Sequence, residues 1–474
     1  MIIDQTSPAP LPAHGAVLDE FRIGLYECFE RRADVLSELV DAITCATGPV
    51  TDLARLSLDP AHRRGHGALY DALACGVIDT GRLRALVASC PVPKIAGPDG
   101  RERIVLGVDV SNWLRPDAGT SPDRSFCHTY ARGRGQAQMI PGWAYSFVAA
   151  LEAGATSWTA LLDAVRLRPA DDVTAVTAAQ LRAVIGELHR AGHHRSGDPD
   201  ILVVLDAGYD TARLAWLLAG LPVLLVGRVR SDRVFHAPAG ARRGPTKGRP
   251  PRHGAKLTLR DPGNGPDPDL ATMNDTSRYG RAEAFAFARM HPKIASRGGW
   301  ASHDGPLPVI EGTVIRLQVE RLPGDRDPRP VWLWASKPTP DDRAEIDHWW
   351  SMYLRRFDLE HTFRFLKQTL GWTRARLRDP DAADRWTALI IAAHTQLRLA
   401  RPIAADHRLP WQRPPRDGLI TPARVRAGYR RVHAMTVRPA RAPKPSRAGP
   451  GRPKGHRNRV KAPIQPVGKQ PSSG

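Results

Sequence analysis

Six residues set the first constraint on this chain: Ile201-Leu202-Val203-Val204-Leu205-Asp206, an unbroken aliphatic run closed by a carboxylate. A strand with one wet face alternates apolar and polar residues, so a run without alternation predicts a strand covered on both faces. Segments of the same character lie on either side. Ile104 to Val110 is a β-branched run delivering Asp109 at its end, Gly142 to Leu151 is a second apolar stretch of strand character, and Val223 to Val229 is a further strand. Helices are predicted over Trp158 to Val165, Ala175 to Arg190 and Thr211 to Leu218, which makes the succession α/β.

The flanks differ. Between residues 17 and 90, Val35, Leu36, Leu39, Val40 and Ile43 recur at helical spacing, with breaks at Gly48-Pro49 and Asp59-Pro60. Residues 1–95 are therefore expected to form a small helical domain. Its segment His62-Arg63-Arg64-Gly65-His66 reads as a phosphate contact or, more simply, as a solvated turn. Residues 232 to 308, rich in Gly, Pro and Arg, interrupt the α/β order. With the strands expected at Thr313 to Leu322 and Pro330 to Ser336 they give an insertion over 232–338, between core segments 96–231 and 339–402. In the second core segment, Pro340-Asp341-Asp342 opens a long helix running towards Gly371, and another helix covers Asp384 to Leu399. Beyond it Pro, Gly, Arg and Lys dominate, so residues 403–474 read as a disordered basic tail.

Charge separates the tail from the body. The chain carries a net +21, of which residues 401–474 hold +16 and the first 400 residues only +5. A basic excess of this kind predicts a polyanionic partner, because each neutralised phosphate releases condensed counterions. Nucleic acid fits better than a membrane: the longest apolar run, Ala215 to Gly227, is too short to span a bilayer and is interrupted by Gly220 and Pro222. Met1 to Pro10 has neither a basic nor an apolar signal region, so a cytoplasmic protein is expected. Five scattered cysteines without a C-x-x-C pair argue against both a disulfide framework and a zinc site, leaving a hard cation held by carboxylates as the expected metal.

Asp109 and Asp206 are the candidate ligands. Each closes an apolar run, where neighbouring strands would bring the two carboxylates together, and such a pair repels unless a cation sits between. The plainer alternatives are an Asx-turn at Asp109 with Ser111 and Asn112, and a strand-closing turn at Asp206. Asp210, just before the helix at Thr211, is the better N-cap, which frees Asp206. A third carboxylate comes from the helix. With Tyr353 at zero and a period of 3.6, Glu360 falls at about −20°, Lys367 at about −40° and Arg356 at about −60°. The four share a stripe flanked by Phe357 and Phe363, which predicts a half-buried carboxylate. The alternative is that Glu360 merely pairs with Arg356 and Lys367 on a solvated surface.

Tyr353, Arg356, Glu360 and Lys367 fit the spacing Tyr-x2-Arg-x3-Glu-x6-Lys. In this the chain resembles the DDE-type transposases of bacterial insertion sequences. Asp206-Ala-Gly-Tyr209 is similar to that family's second-aspartate motif, and Val108-Asp109-Val110-Ser111 to its first. The resemblance covers roughly Ile104 to Ala400. It implies a ribonuclease-H-like catalytic core interrupted by a partly β insertion, preceded by a small helical domain and followed by the basic tail. It also implies that Asp109, Asp206 and Glu360 hold two Mg²⁺ ions, with Mn²⁺ as a substitute. Tyr353, Arg356 and Lys367 would then grip phosphates of double-stranded DNA, both element terminal repeats and target. A homodimer on DNA and a nucleoid-associated location follow from the same resemblance.

Two further DNA contacts are weaker. Arg452 and Lys454 in Pro450-Gly-Arg-Pro-Lys-Gly455 resemble an AT-hook core, with Gly248-Arg249-Pro250 as a fainter copy, but a disordered basic extension explains the composition more simply. Trp300 reads as a base-stacking or, more simply, a packed tryptophan. A nuclease or resolvase with the same core, cutting without strand transfer, remains the enzymatic alternative. A transposase-derived DNA-binding protein that has lost its chemistry is the non-enzymatic one.

Overall fold

The aliphatic run forms a five-residue strand near the middle of a 13-stranded mixed sheet, and all five of its side chains are buried. The structure is a computed structural model that describes residues 13–130, 137–154, 156–240, 250–322, 327–414, 420–444, 459–465 and 467. Its helices are α1 (Ala13–Glu27), α2 (Ala33–Cys45), α3 (Leu53–Leu56), α4 (His66–Cys75), α5 (Thr80–Ser89), α6 (Val173–Arg190), α7 (Thr211–Leu217), α8 (Arg343–Arg355), α9 (Asp358–Gln368), α10 (Pro380–Ala400) and α11 (Pro422–Met435). Two short strand pairs lie outside the main sheet: β1 (Phe29–Arg31) with β2 (Val77–Ile78), and β3 (Ile95–Ala96) with β4 (Glu102–Arg103).

The main sheet comprises β5 (Val105–Leu114), β6 (Arg124–Tyr130), β7 (Ala137–Leu151), β8 (Thr159–Leu167), β9 (Ile201–Leu205), β10 (Val223–Val229), β11 (Val234–Pro238), β12 (His253–Thr258), β13 (Leu270–Thr276), β14 (Gly280–Pro292), β15 (Gly312–Val319), β16 (Val331–Ala335) and β17 (Ile464–Gln465). Its order is β12-β11-β14-β15-β16-β10-β9-β5-β7-β6-β17, with β13 on β14 and β8 on β7. At the centre β9 runs parallel to both β5 and β10, while β7 pairs antiparallel with β5. Strands from the Gly- and Pro-rich stretch after residue 232 thus extend the same sheet through β14, β15 and β16.

Three expectations change. Trp158 to Val165, expected as a helix, lies largely in β8, paired along β7. Its apolar residues satisfy either period, and with α6 and α10 packed upon it the strand is buried on both faces, so it shows no alternation. The long helix expected from residue 340 to Gly371 is two helices, α8 and α9, joined by a tight turn. Gly371 does close the second, in the left-handed region (φ 74°) against Val50. Finally, the segment in which composition predicts little order contains α11. Its Val425, Tyr429 and Val432 are buried, and it packs on α2 and α10. The low hydropathy of the surrounding sequence conceals a stripe of three apolar residues at helical spacing.

The N-terminal helices share one continuous hydrophobic cluster with the central strands and with α8 to α11. Arg22 of α1 is buried against Asp41 of α2, and Arg426 of α11 donates to the carbonyls of Ile43 and Gly48. Among the described residues no helix is long and apolar enough to cross a membrane.

Candidate active site

Parallel pairing of β5 with β9 places Gly107 opposite Val204 and Val108 opposite Leu205. The next residues along are Asp109 and Asp206, so the two carboxylates emerge side by side where β9 and its pairing with β5 end. Open α/β sheets place ligands at such ends. Asp109 lies within β5, which continues to Leu114, so it starts no turn. Asp210 caps α7 by accepting from the Arg213 amide, which leaves the Asp206 side chain outside the helix cap.

The third element is fixed by packing. On strand β5, Gly107 and Asp109 face the same side. A Cβ at Gly107 would come within 2.8 Å of Leu359, so the glycine lets α9 settle close over the strand. Opposite Asp109, Phe147 of β7 meets Phe363 and Trp372 at ring distances of 5.2 and 5.1 Å. This aromatic layer holds α9 with Glu360, the neighbour of Leu359, beside the aspartates.

Between α8 and α9 the chain tightens to i→i+3 bonds: the Arg356 amide donates to Tyr353 and that of Glu360 to Phe357. Arg356 leaves this turn towards the sheet. Its Nη1 contacts Asp109 Oδ2, and its Nη2 lies 3.6 Å from Asp206 Oδ2. Arg228, on β10, reaches to 3.9 Å from Asp206 Oδ1. Sequence reasoning passed over Arg228, although a lone cation in the otherwise apolar Val223–Val229 strand was a usable signal.

The electrostatics are strained. Burial pushes the Asp109 carboxyl up to about 6; Arg356 opposes the shift, and the charges of Asp206 and Glu360 add to it. Burial lowers the Lys367 ammonium despite the nearby charges of Glu360 and Asp109. For Arg356 burial acts downward, but Asp109 and Asp206 outweigh it and the guanidinium is raised. Burial also raises the Tyr353 phenol, with the Asp206 charge adding to it. All four residues of the spaced motif thus lie within one electrostatic neighbourhood.

Glu360 departs from the half-buried position expected of it. It is exposed, as is Phe357, which was expected to shield it. Among the described residues no ion pair joins Glu360 to Arg356 or Lys367, so the simple surface pairing is absent; Arg356 serves the aspartates instead. The N-terminal cluster at residues 62–66 is also engaged internally, with Arg63 and Arg64 both bound to the buried Glu38. Trp300 is buried beside Trp216 and His303. Arg452, Lys454, Gly248 and Arg249 lie outside the described residues.

Beside Asp206 opens a cavity of about 690 Å³ that begins at Ala207 and Tyr209. Arg228, Arg230, Arg233, Lys256, Lys293 and Arg297 line it, an excess of positive charge suited to phosphates.

The donor set suits a hard divalent cation: the three acidic side chains offer only oxygen, and Asp206 Oδ1 is buried without a hydrogen-bond partner. As the side chains stand, no three His, Cys, Asp or Glu among the described residues gather closely enough to hold a metal. The guanidinium of Arg356 bridges the two aspartates.

A family model described as DDE superfamily endonuclease matches residues 24–289. That span is more than half of the chain; it contains Asp109 and Asp206 and ends before Glu360. No curated protein matches the chain.

Proposed function

The chain belongs to the DDE superfamily endonucleases, and from that membership we propose that it is a transposase, cutting DNA at the ends of a mobile element and joining those ends to target DNA. The observation that carries the reading is the meeting of Asp109 and Asp206 on adjacent parallel strands, with Arg356 between them and α9 packed over β5 at Gly107.

In this reading Asp109, Asp206 and Glu360 hold two Mg²⁺ ions. When bound, these would activate a water or a DNA 3′-hydroxyl and stabilise the leaving oxygen during in-line attack on phosphorus. The remaining residues position the strand. Arg356 offers a planar fork and Lys367 a point charge to phosphate oxygens. Tyr353, buried beside Asp206 and Arg356, fixes the floor of the site. The basic cavity beside Asp206 leads the polyanion in from the β11–β14 side. Hydrolysis gives a nick, and attack by a 3′-hydroxyl gives a joined product with the same machinery. Bringing two element ends together calls for a dimer on DNA, and the cytoplasm with its nucleoid is the setting.

Purified protein incubated with Mg²⁺ and labelled DNA carrying the element's ends tests this directly. Cut ends followed by joined products are expected. Cutting without joining would leave a nuclease, and DNA binding without either would leave a DNA-binding derivative.

A further inference from the structure

We infer that the Arg356 guanidinium is the resident counter-cation of the Asp109–Asp206 pair, a competitor of divalent metal when DNA is absent and the residue that couples metal binding to DNA binding. The inference rests on the reading of these carboxylates as metal ligands.

Three observations carry it. First, one guanidinium serves both aspartates, contacting Asp109 and lying 3.6 Å from Asp206, so it occupies the space in which a cation shared by the two would sit. Second, the pairing is incomplete. Arg356 Nε and Asp206 Oδ1 are both buried without a hydrogen-bond partner, whereas a permanent buried ion pair is held by satisfying every donor and acceptor. Third, Arg356 stands in the tight turn between α8 and α9, outside both helical ladders' interiors, where its direction can change without breaking a helix.

The consequences follow from charge. A dication placed between the aspartates repels a guanidinium a few ångströms away, so the two cannot share the pair. A guanidinium that leaves needs a new anion, and a phosphate oxygen of DNA accepts the same fork. DNA bound by Arg356 frees the carboxylates for metal, and metal frees Arg356 for DNA. The coupling is reciprocal, as linkage requires.

The test is Mn²⁺ binding to the full chain by calorimetry, with and without a short DNA duplex, in the wild type, Arg356→Gln, Arg356→Lys and Asp206→Asn. Arg364→Gln, an exposed cation on α9, is the control. Without DNA, Arg356→Gln should bind Mn²⁺ about tenfold more tightly than the wild type, while Arg356→Lys and the control stay near it. DNA should raise the wild-type affinity by about fivefold or more and leave that of Arg356→Gln unchanged. Equal or weaker binding by Arg356→Gln, with wild-type binding intact, overturns the inference, as does an equal gain in Arg356→Lys. Mn²⁺ binding that Asp206→Asn does not weaken, or no binding by any form, overturns the metal-ligand reading on which it rests.

Discussion

Arg22 and Arg356 each face an aspartate in a nearly dry setting, and the two pairs are built differently. Arg22 donates to both Asp41 oxygens at 2.7 and 3.1 Å, to Gln396 at 2.7 Å and to the Val437 carbonyl at 2.8 Å. His433 Nε2 lies 3.1 Å from the same carboxylate. Burial alone would raise the Asp41 carboxyl, but Arg22 and His433 hold it down to about 2. Around Arg356 the partners are shared between two aspartates, atoms remain unpaired, and Asp109 moves the other way, up to about 6. A satisfied pair ties four helices together and invites no ligand. An under-satisfied one keeps its charge available for exchange.

The largest effects should appear where charge is available. Asp109→Ala, Asp206→Ala and Glu360→Ala are each expected to abolish detectable DNA cleavage while retaining DNA binding in a mobility-shift assay. Cleavage at the wild-type rate in any one removes that residue from the site. The Arg22 pair should behave in the opposite way. Asp41→Ala strands a buried guanidinium and should lower stability by about 3–5 kcal/mol in denaturant unfolding, with cleavage unchanged while the protein stays folded. The sign of its pH dependence is fixed: a carboxyl held low in the fold contributes fully above the unfolded range near pH 4 and loses its contribution as pH falls towards 2. Acid unfolding of Asp41→Asn should therefore be flatter than that of the wild type across this window.

Intermediate effects come from the cations of the site. Arg356→Ala and Lys367→Ala should each lose a charged hydrogen bond to DNA, roughly 1.5–3 kcal/mol, and slow cleavage about tenfold or more. Arg355 cannot serve as the neutral control, because it holds Asp358 at 2.8 Å across the turn between α8 and α9. Arg364→Ala serves instead, and a defect there equal to that of Arg356 would show that only general positive charge matters. The smallest effect belongs to the tail. Because α11 is part of the core and β17 pairs with β6, charge is removed without removing packing by substitution rather than by truncation. Replacing Arg447, Arg452, Lys454 and Arg457 together by Gln should lower the slope of log affinity against log salt; an unchanged slope would take this segment off the DNA.

That Asp109 and Asp206 lie side by side was legible from two aliphatic runs each carrying a carboxylate near its end, and most of the central strands were readable from their apolar pattern. What escaped depended on long-range contact. Strand β8 shows no alternation because helices cover it on both faces, and α11 is held by partners more than 370 residues away, such as Ile43 and Gly48. The stripe geometry assumed one continuous helix. The tight turn at Arg356 breaks that assumption, and it delivers the arginine to the aspartates rather than to Glu360.

The docking of α11 on α2 also bears on how the protein is born. Helix α2 has α10 and α11 among its principal neighbours, so its apolar face stays uncovered on the ribosome until residues beyond 422 have been made. At about 5–20 residues per second, that is an interval of roughly 20 to 75 seconds. An interrupted chain that already carries Asp109, Asp206 and Glu360 would lack the helix that closes its core. Closure of the core that carries the site is thereby tied to the synthesis of residues beyond 422.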